Sequence, residues 1–469
     1  MTIELIGIIA LTLGLVSMYL PPSFIVNVFL CSTLLGAAAA SVLEALGGTS
    51  LPPAHLLLGF LTLRFLRDKA ISKNILNGFV FGRPGFWLLL TMIYCSVTAY
   101  IMPRLFAGQT VVVPVRAESA YTVPLAPAMT NLTQSIYFIG DFVCFVVIYG
   151  YASSLEARKF FGSIAVRFAA LNLIFAAIDL GTYFTGTTDV LSFIRNGTYG
   201  LLNDTEVAGF KRIVGSFTEA ASFAGMTLGC FAFTSRLWLL GVRPRFTAIL
   251  TFLAFSALLF STSTTAYVGL AIFLAITYFE ILLRILYRPL TPQMGFFVFG
   301  VPLVGAIIVL LITFSDTYSA YLSSLLDTFL FHKMQTDSGV ERSLWNRLAI
   351  QNFFDTYGFG TGNGGMRSSS FPIAVIANLG IIGTVLFSLF FITVFRSSRK
   401  GGPVDPLDDA YRKAAKSACF AWLITATVSG ALVDLGLAFF AFAALASAGA
   451  AQVQGQQPVK LPKAVILKA

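Results

Sequence analysis

Apolar runs of about twenty residues, separated by short polar connections, recur from one end of the chain to the other. They fall at 3–20, 24–42, 51–66, 86–102, 135–152, 164–184, 217–234, 246–259, 265–282, 295–314, 371–395, 417–433 and 435–450. Backbone groups in lipid must be satisfied within the protein, so runs of this length read as helices; barrel strands would be about ten alternating residues long. The pattern predicts an all-α, polytopic transmembrane bundle. Because Pro52, Pro53 and His55 open the third run, that segment is short or re-entrant, and the expected count is 12 or 13 spans in a single membrane domain over 1–469.

One stretch breaks the rhythm. Residues 315–370 are polar, carry arginines and end in glycines. Long loops inside compact domains are uncommon unless they bind or act on something, so function is expected here. Tyr321, Leu322, Leu325, Leu326, Phe329 and Leu330 repeat at helical spacing opposite Ser323, Ser324, Asp327 and Thr328, as in a helix lying on the membrane surface. Ser338 and Glu341 stand at capping-box spacing before Leu344, Trp345, Leu348, Ala349 and Phe353, predicting a second helix that carries Arg342 and Arg347.

Composition agrees with the pattern, at 57% hydrophobic and 11% charged residues. A net charge of +10 raises the question of nucleic acid, but placement answers it: alternating the loops puts 22 of the 31 Lys and Arg on one side and 9 on the other. That bias assigns the rich side, with the 451–469 tail, to the cytoplasm; no nucleic-acid partner is implied. The 315–370 loop then faces outward, with 103–134 and 185–216. The first apolar run lacks a basic leader and a small-residue cleavage site, so a removable signal peptide is not expected.

The outward loops hold the candidate chemistry. Gly358 to Gly365 contains a formal GxGxxG at Gly360, Gly362 and Gly365, but no strand precedes it and no Gly-Lys-Ser/Thr follows. Its content as an expectation is flexible backbone able to turn N–H groups to an anion, with Asn363, Arg367 and Ser368 to Ser370 beside it; a plain re-entry loop is the bland alternative. Arg195, Lys211 and Arg212 stand on the outward side, where basic residues are disfavoured, and Gly215-Ser-Phe-Thr-Glu219 leads into a span. Glu219 at a helix start is electrostatically comfortable; among several guanidinium groups it also suits an acidic lipid head group. Ser261-Thr-Ser-Thr-Thr265 reads as helix caps or sugar contacts. Asp141, Asp179 and Asp434 are pore or packing candidates. Five cysteines fall in apolar runs without disulfide or zinc spacing, and His55 and His332 are the two histidines, so no metal site is expected.

Arg212-Ile-Val-Gly-Ser-Phe-Thr-Glu-Ala-Ala-Ser-Phe-Ala224 resembles a segment of bacterial Wzy-type polysaccharide polymerases. Arg342 to Gly383, with Trp-Asn-Arg, Gly-Phe-Gly-Thr-Gly and Asn378-Leu-Gly-Ile-Ile-Gly383, resembles the end of the large periplasmic loop in the O-antigen polymerase and ligase superfamily. The resemblance covers roughly a quarter of the chain. It implies a GT-C-like, metal- and cofactor-independent inverting glycosyltransferase of the bacterial inner membrane. Its active site would face the periplasm and join undecaprenyl-diphosphate-linked repeat units, with a chain-length regulator as a further partner. On this reading Arg212, Arg342, Arg347 and Arg367 hold diphosphates, Glu219 activates the acceptor with His332 as rival base, and Lys211, Gly360, Gly362 and Asn363 support them. The ligases carry a histidine near the glycine-rich turn, where this chain has Asn363 and Arg367; ligase, flippase and exporter remain the alternatives.

Overall fold

The computed structural model describes residues 2–44, 48–116, 121–198, 200–202, 206–207, 210–287, 289–314, 337–397 and 405–449. The surface helix expected near Tyr321 to Leu330, His332 and the 451–469 tail lie outside them. The protein is mostly helical, a helical membrane protein as the hydrophobic pattern predicts. Among the described residues five helices are long and apolar enough to cross a membrane: α5 (Pro84–Leu105), α6 (Met129–Tyr151), α7 (Leu155–Thr185), α10 (Thr264–Ile285) and α13 (Phe371–Arg396). Further apolar helices, most of them shorter, accompany them: α1 (Leu5–Ser17), α2 (Pro22–Ser32), α3 (Pro53–Leu66), α9 (Pro244–Phe260), α11 (Pro292–Thr313) and α15 (Leu437–Ser447). α4 (Lys69–Asn77) links α3 to α5, α8 (Ala220–Leu239) and α14 (Pro406–Ser429) pack together at the centre, and α12 (Asp337–Asp355) lies in the long loop.

Small residues set the central contacts. A Cβ on Gly229 of α8 would sit 2.2 Å from the Trp422 indole of α14, so the two backbones approach as closely as glycine permits. α15 alternates alanine with phenylalanine and is buried along its whole length. Its Phe440 stacks 5.9 Å from Phe390 of α13 and meets Phe138 of α6 edge-on at 6.3 Å.

Two expected spans are shorter than the sequence suggests. The run 24–42 is helical only to Ser32; residues 33–40 are irregular yet largely buried, and Ser41–Leu43 forms a strand, β2, between β1 (Thr2–Ile3) and β3 (Thr49–Leu51). Buried backbone outside a helix must find partners, and here it does. Ala37 N donates to the Ser216 carbonyl at 3.0 Å, Gly197 N to the Ala37 carbonyl at 2.9 Å, and the Asn196 amide both accepts from Ala39 N at 2.9 Å and donates to its carbonyl at 3.1 Å. The run 435–450 contains only the eleven residues of α15, entered through the irregular segment 430–436.

The glycine-rich turn has a structural use. α13 is broken at Gly380 (φ 61°), and the turn wedges into the break: Thr361 N donates to the Ala377 carbonyl at 2.8 Å, Gly362 N to the Asn378 carbonyl at 2.9 Å, and Ile381 N to the Gly358 carbonyl at 3.0 Å. Asn378 completes the joint by donating to the Met366 and Ala374 carbonyls at 3.2 and 2.9 Å. A Cβ at Gly362 (φ 86°) would lie 2.5 Å from the Thr98 carbonyl oxygen, and one at Gly380 would lie 2.3 Å from that of Gly358. Gly362→Ala and Gly380→Ala should each cost about 2–4 kcal/mol, summing left-handed backbone strain and a clash with rigid backbone. Thermal unfolding in detergent checks this against Gly59→Ala, where the Cβ meets nothing within 4 Å.

Candidate functional site

The site is built from the end of α7. Asp179, 1% exposed, accepts the backbone N–H of Val214 at 2.8 Å and of Gly215 at 3.0 Å through Oδ2, and an Arg195 guanidinium N–H at 2.6 Å through Oδ1. Arg195 in turn donates to the Gly215 carbonyl, at 3.1 Å from Nε and also from Nη2. Lys211 Nζ stands 4.0 Å from the same carboxylate and 5.2 Å over the Tyr183 ring. Burying a carboxylate is costly unless it is paired and hydrogen-bonded, and here two backbone N–H groups, Arg195 and Lys211 surround it. They fix the segment between Lys211 and the start of α8, which Ser216 ties further by donating to the Leu34 carbonyl at 2.6 Å.

Two side chains leave this anchored segment for the site. Lys211 points inward to Asp179, while the adjacent Arg212 is only partly buried. Glu219 holds the N-cap position of α8, yet its carboxylate makes no capping hydrogen bond. Its oxygens are therefore not taken up by the backbone N–H groups at the start of the helix.

The other wall comes from α12 and the segment before α13. Asn352 of α12 donates to the Thr110 hydroxyl and the Val111 carbonyl, both at 2.7 Å, and Thr110 donates to Asp355 at 2.6 Å. Ser369 N donates to the Asn346 side chain at 2.8 Å, and Arg367 N to the Val113 carbonyl at 3.0 Å. These bonds hold Arg367 with its guanidinium 4.1 Å above the Trp345 ring, a cation–π contact that also stiffens the side chain. Arg342, one turn before Trp345, shares that side of α12.

Charge ties the two walls together. Arg212 and Arg367 each lie in the field of both Glu219 and Arg342; burial is the larger influence and presses the affinity of each guanidinium for its proton downward, Glu219 acts oppositely, and Arg342 adds to the burial effect. Arginine stays protonated regardless, so the physical content is a cluster of partly desolvated cations around one carboxylate, with Glu341 as a weaker neighbour of Arg367. Among the described residues no ion pair joins Glu219 to Arg212 or Arg342, and Arg212 Nε is buried without a hydrogen-bond acceptor. Such an arrangement attracts anions and retains guanidinium donors for bidentate contact. Tyr267, near enough to Arg212 to share its field, follows the Ser261 to Thr265 turn onto α10.

Several expectations change. Arg347 does not join the cluster: it is exposed and lies roughly 200° round α12 from Trp345. Lys211 serves the Asp179 anchor. Gly360 and Gly362 do not aim N–H groups at an anion, because those groups donate to Thr356 Oγ1 and the Asn378 carbonyl; Asn363 is 2% exposed, its carbonyl accepting from Asn131 at 2.9 Å. Ser263 holds the N-cap position of α10 without a side-chain capping bond. Asp141 and Asp434 lie close enough to feel one another's charge, with His55 in the field of Asp434, and neither carboxylate is among the charges acting on Arg212 or Arg367. Asp179, Trp345 and Tyr267 were not expected at the site. Arg195 beside Lys211 and Arg212, disfavoured charges all on one side, was the signal that a buried carboxylate had to answer them.

Asp179→Asn removes the anchoring charge while keeping its shape, leaving Arg195 buried without the carboxylate it pairs with. The expected cost is about 3–5 kcal/mol, read as a lowered unfolding temperature in detergent; an unchanged melt would show that the anchor is not electrostatic.

Compared with protein-family models, with curated proteins and with solved structures, the chain matches none of them.

Proposed function

We propose that the protein is a metal-independent, inverting glycosyltransferase that polymerises undecaprenyl-diphosphate-linked oligosaccharide units at the periplasmic face of a bacterial inner membrane. The observation that carries this reading is the gathering of Arg212, Arg342 and Arg367 about Glu219 from three separate segments. The five long apolar helices support a helical membrane protein, and a GT-C-like bundle of 12–13 spans is part of the proposed reading.

The chemistry follows from the charges. An acceptor sugar hydroxyl attacks the anomeric carbon of the donor glycan, the bond from that carbon to the diphosphate oxygen breaks, and the lipid diphosphate leaves with the bonding electron pair. Inversion results because attack comes from the face opposite the leaving group. Arg212, Arg342 and Arg367 stabilise the charge that grows on the diphosphate, an effect strengthened where water is partly excluded. Glu219 accepts the hydroxyl proton. Trp345 stacks against the planar Arg367 guanidinium and restricts its orientation.

The test is substitution with membrane levels verified and polymer length scored. Arg212→Ala, Arg342→Ala and Arg367→Ala should each reduce polymerisation by about 10²-fold or more. Glu219→Gln should reduce it by about 10²–10⁴-fold, whereas Arg347→Ala should leave it close to wild type. Treatment with EDTA should not alter the rate. Full-length polymer from both Glu219→Gln and Arg212→Ala would refute the assignment.

A further inference from the structure

The other end of the bundle holds a second cationic feature that this chemistry does not use. Glu219 precedes α8 and Arg236 lies in its last turn, so the two are separated by roughly 25 Å of helix. Around Arg236, α8, α10, α13 and α14 enclose a cavity of about 280 Å³. Four cations line it, Arg236, Arg284, Lys413 and Lys416, against the single lining carboxylate of Glu280.

Three of these cations have partners. Arg236 grips Glu280 through both terminal nitrogens, one at 2.9 Å, and donates Nε to Ser417 at 2.9 Å. Lys416 donates to the Phe395 carbonyl at the end of α13 at 2.9 Å. Lys413 pairs at 2.6 Å with Asp409, one turn earlier on α14, where both are substantially exposed. Arg284 differs. Among the described residues it forms no ion pair, and its Nε is buried with no hydrogen-bond acceptor. A buried donor left unsatisfied is destabilising, and an oxyanion in the cavity would satisfy it.

The rest of the lining is apolar. Phe273 and Ile276 of α10, Phe395 of α13 and Phe420 of α14 form the wall facing the cations. On the flank of α10, Ile276 and Leu283 stand 43% and 62% exposed, as lipid-facing residues do. A soluble anion would use the basic half alone and leave the apolar half wet; a molecule with a phosphate head and hydrocarbon beside it uses both. The charge bias along the sequence assigns this end to the cytoplasmic side, where basic pockets between helices bind anionic head groups.

We propose that this cavity is a binding site for an anionic phospholipid of the cytoplasmic leaflet, its phosphate held by Arg284 and Lys413 and the start of its chains lying on Phe273 and Phe420. The site is separate from the Glu219 cluster, and its occupancy is read without any assay of sugar transfer. Full-length protein is reconstituted in nanodiscs of phosphatidylcholine containing a minority of phosphatidylglycerol, extracted, and its retained lipids are quantified by native mass spectrometry. Phosphatidylglycerol should be retained over phosphatidylcholine by roughly tenfold relative to the bilayer composition, and Arg284→Gln should abolish most of that preference. Arg284→Lys should keep part of it. Lys413→Gln, at an exposed position, should weaken it several-fold and serves where Arg284→Gln fails to fold. Equal retention of the two lipids, or wild-type preference in both Gln variants, overturns the proposal. So does Arg284-dependent binding of inorganic phosphate to delipidated protein without retention of phosphatidylglycerol, which would make the ligand a soluble anion.

Discussion

The buried carboxylate of Asp179 is the constraint on which this end of the helical bundle depends. Without a negative charge at that point, Arg195 would lose the carboxylate that offsets its burial. The backbone from Lys211 to Gly215 would also lose the acceptor that orders it. The same loop closes over the irregular stretch at Ala37, so one charge supports both the anchoring of Arg212 and the burial of non-helical backbone in the first quarter of the chain. α7 carries a matching device at its opposite end. There Arg158, 4% exposed, meets Asp408 of α14 with Nε–Oδ1 at 2.7 Å and Nη2–Oδ2 at 3.1 Å, and donates Nη1 to the Ala152 and Ser153 carbonyls. A single long helix is thus fixed at both ends by buried charges of opposite sign. Breaking either pair strands a desolvated ion, so the pairs enforce position more than they add net stability.

The helices were legible because length and apolarity are sufficient signals where lipid is the solvent; α5, α6, α7, α10 and α13 all fall on runs read from the sequence. The irregular pieces were not. Residues 33–40 and 430–436 are as apolar and small as the helices they join, and what breaks them is partners far along the chain, Ser216 and Asn196 in one case and Ser368 in the other. No local pattern records those. The site was half legible for the same reason. Arg212, Arg342, Arg367 and Glu219 announced themselves as charges in unusual places, but Lys211 and Arg212 are indistinguishable in type and adjacent in sequence. Backbone alternation sends one inward to Asp179 and leaves the other for the cluster.

The glycine-rich segment shows how one composition serves opposite ends. Glycines suit an anion cradle because their N–H groups are accessible, and they suit a wedge because they take no space. Which use prevails depends on where the N–H groups go. Here they are consumed by the carbonyls that the break in α13 releases, so the segment is a rigid joint, and its rigidity fixes Met366 and hence the start of the strand of residues that ends in Arg367. The glycines thus serve the proposed anion site at one remove, by helping to hold the Arg367 guanidinium.

This division of labour explains why the cationic cluster persists at all. Guanidinium groups repel one another, and three of them around one carboxylate would splay into water if their side chains were free. Each is therefore held by something that is not charged with opposite sign: Arg367 by the Trp345 ring, Arg342 by a helix pinned through Asn352, and Arg212 by a backbone segment whose own charge balance was settled at Asp179. Neutralising the cluster with nearby carboxylates would have stabilised it more cheaply, but it would also have spent the donors. Restraining the cations by packing and remote ion pairs holds them in place without cancelling their field, which is the condition that the proposed electrostatic catalysis of a departing diphosphate has to satisfy.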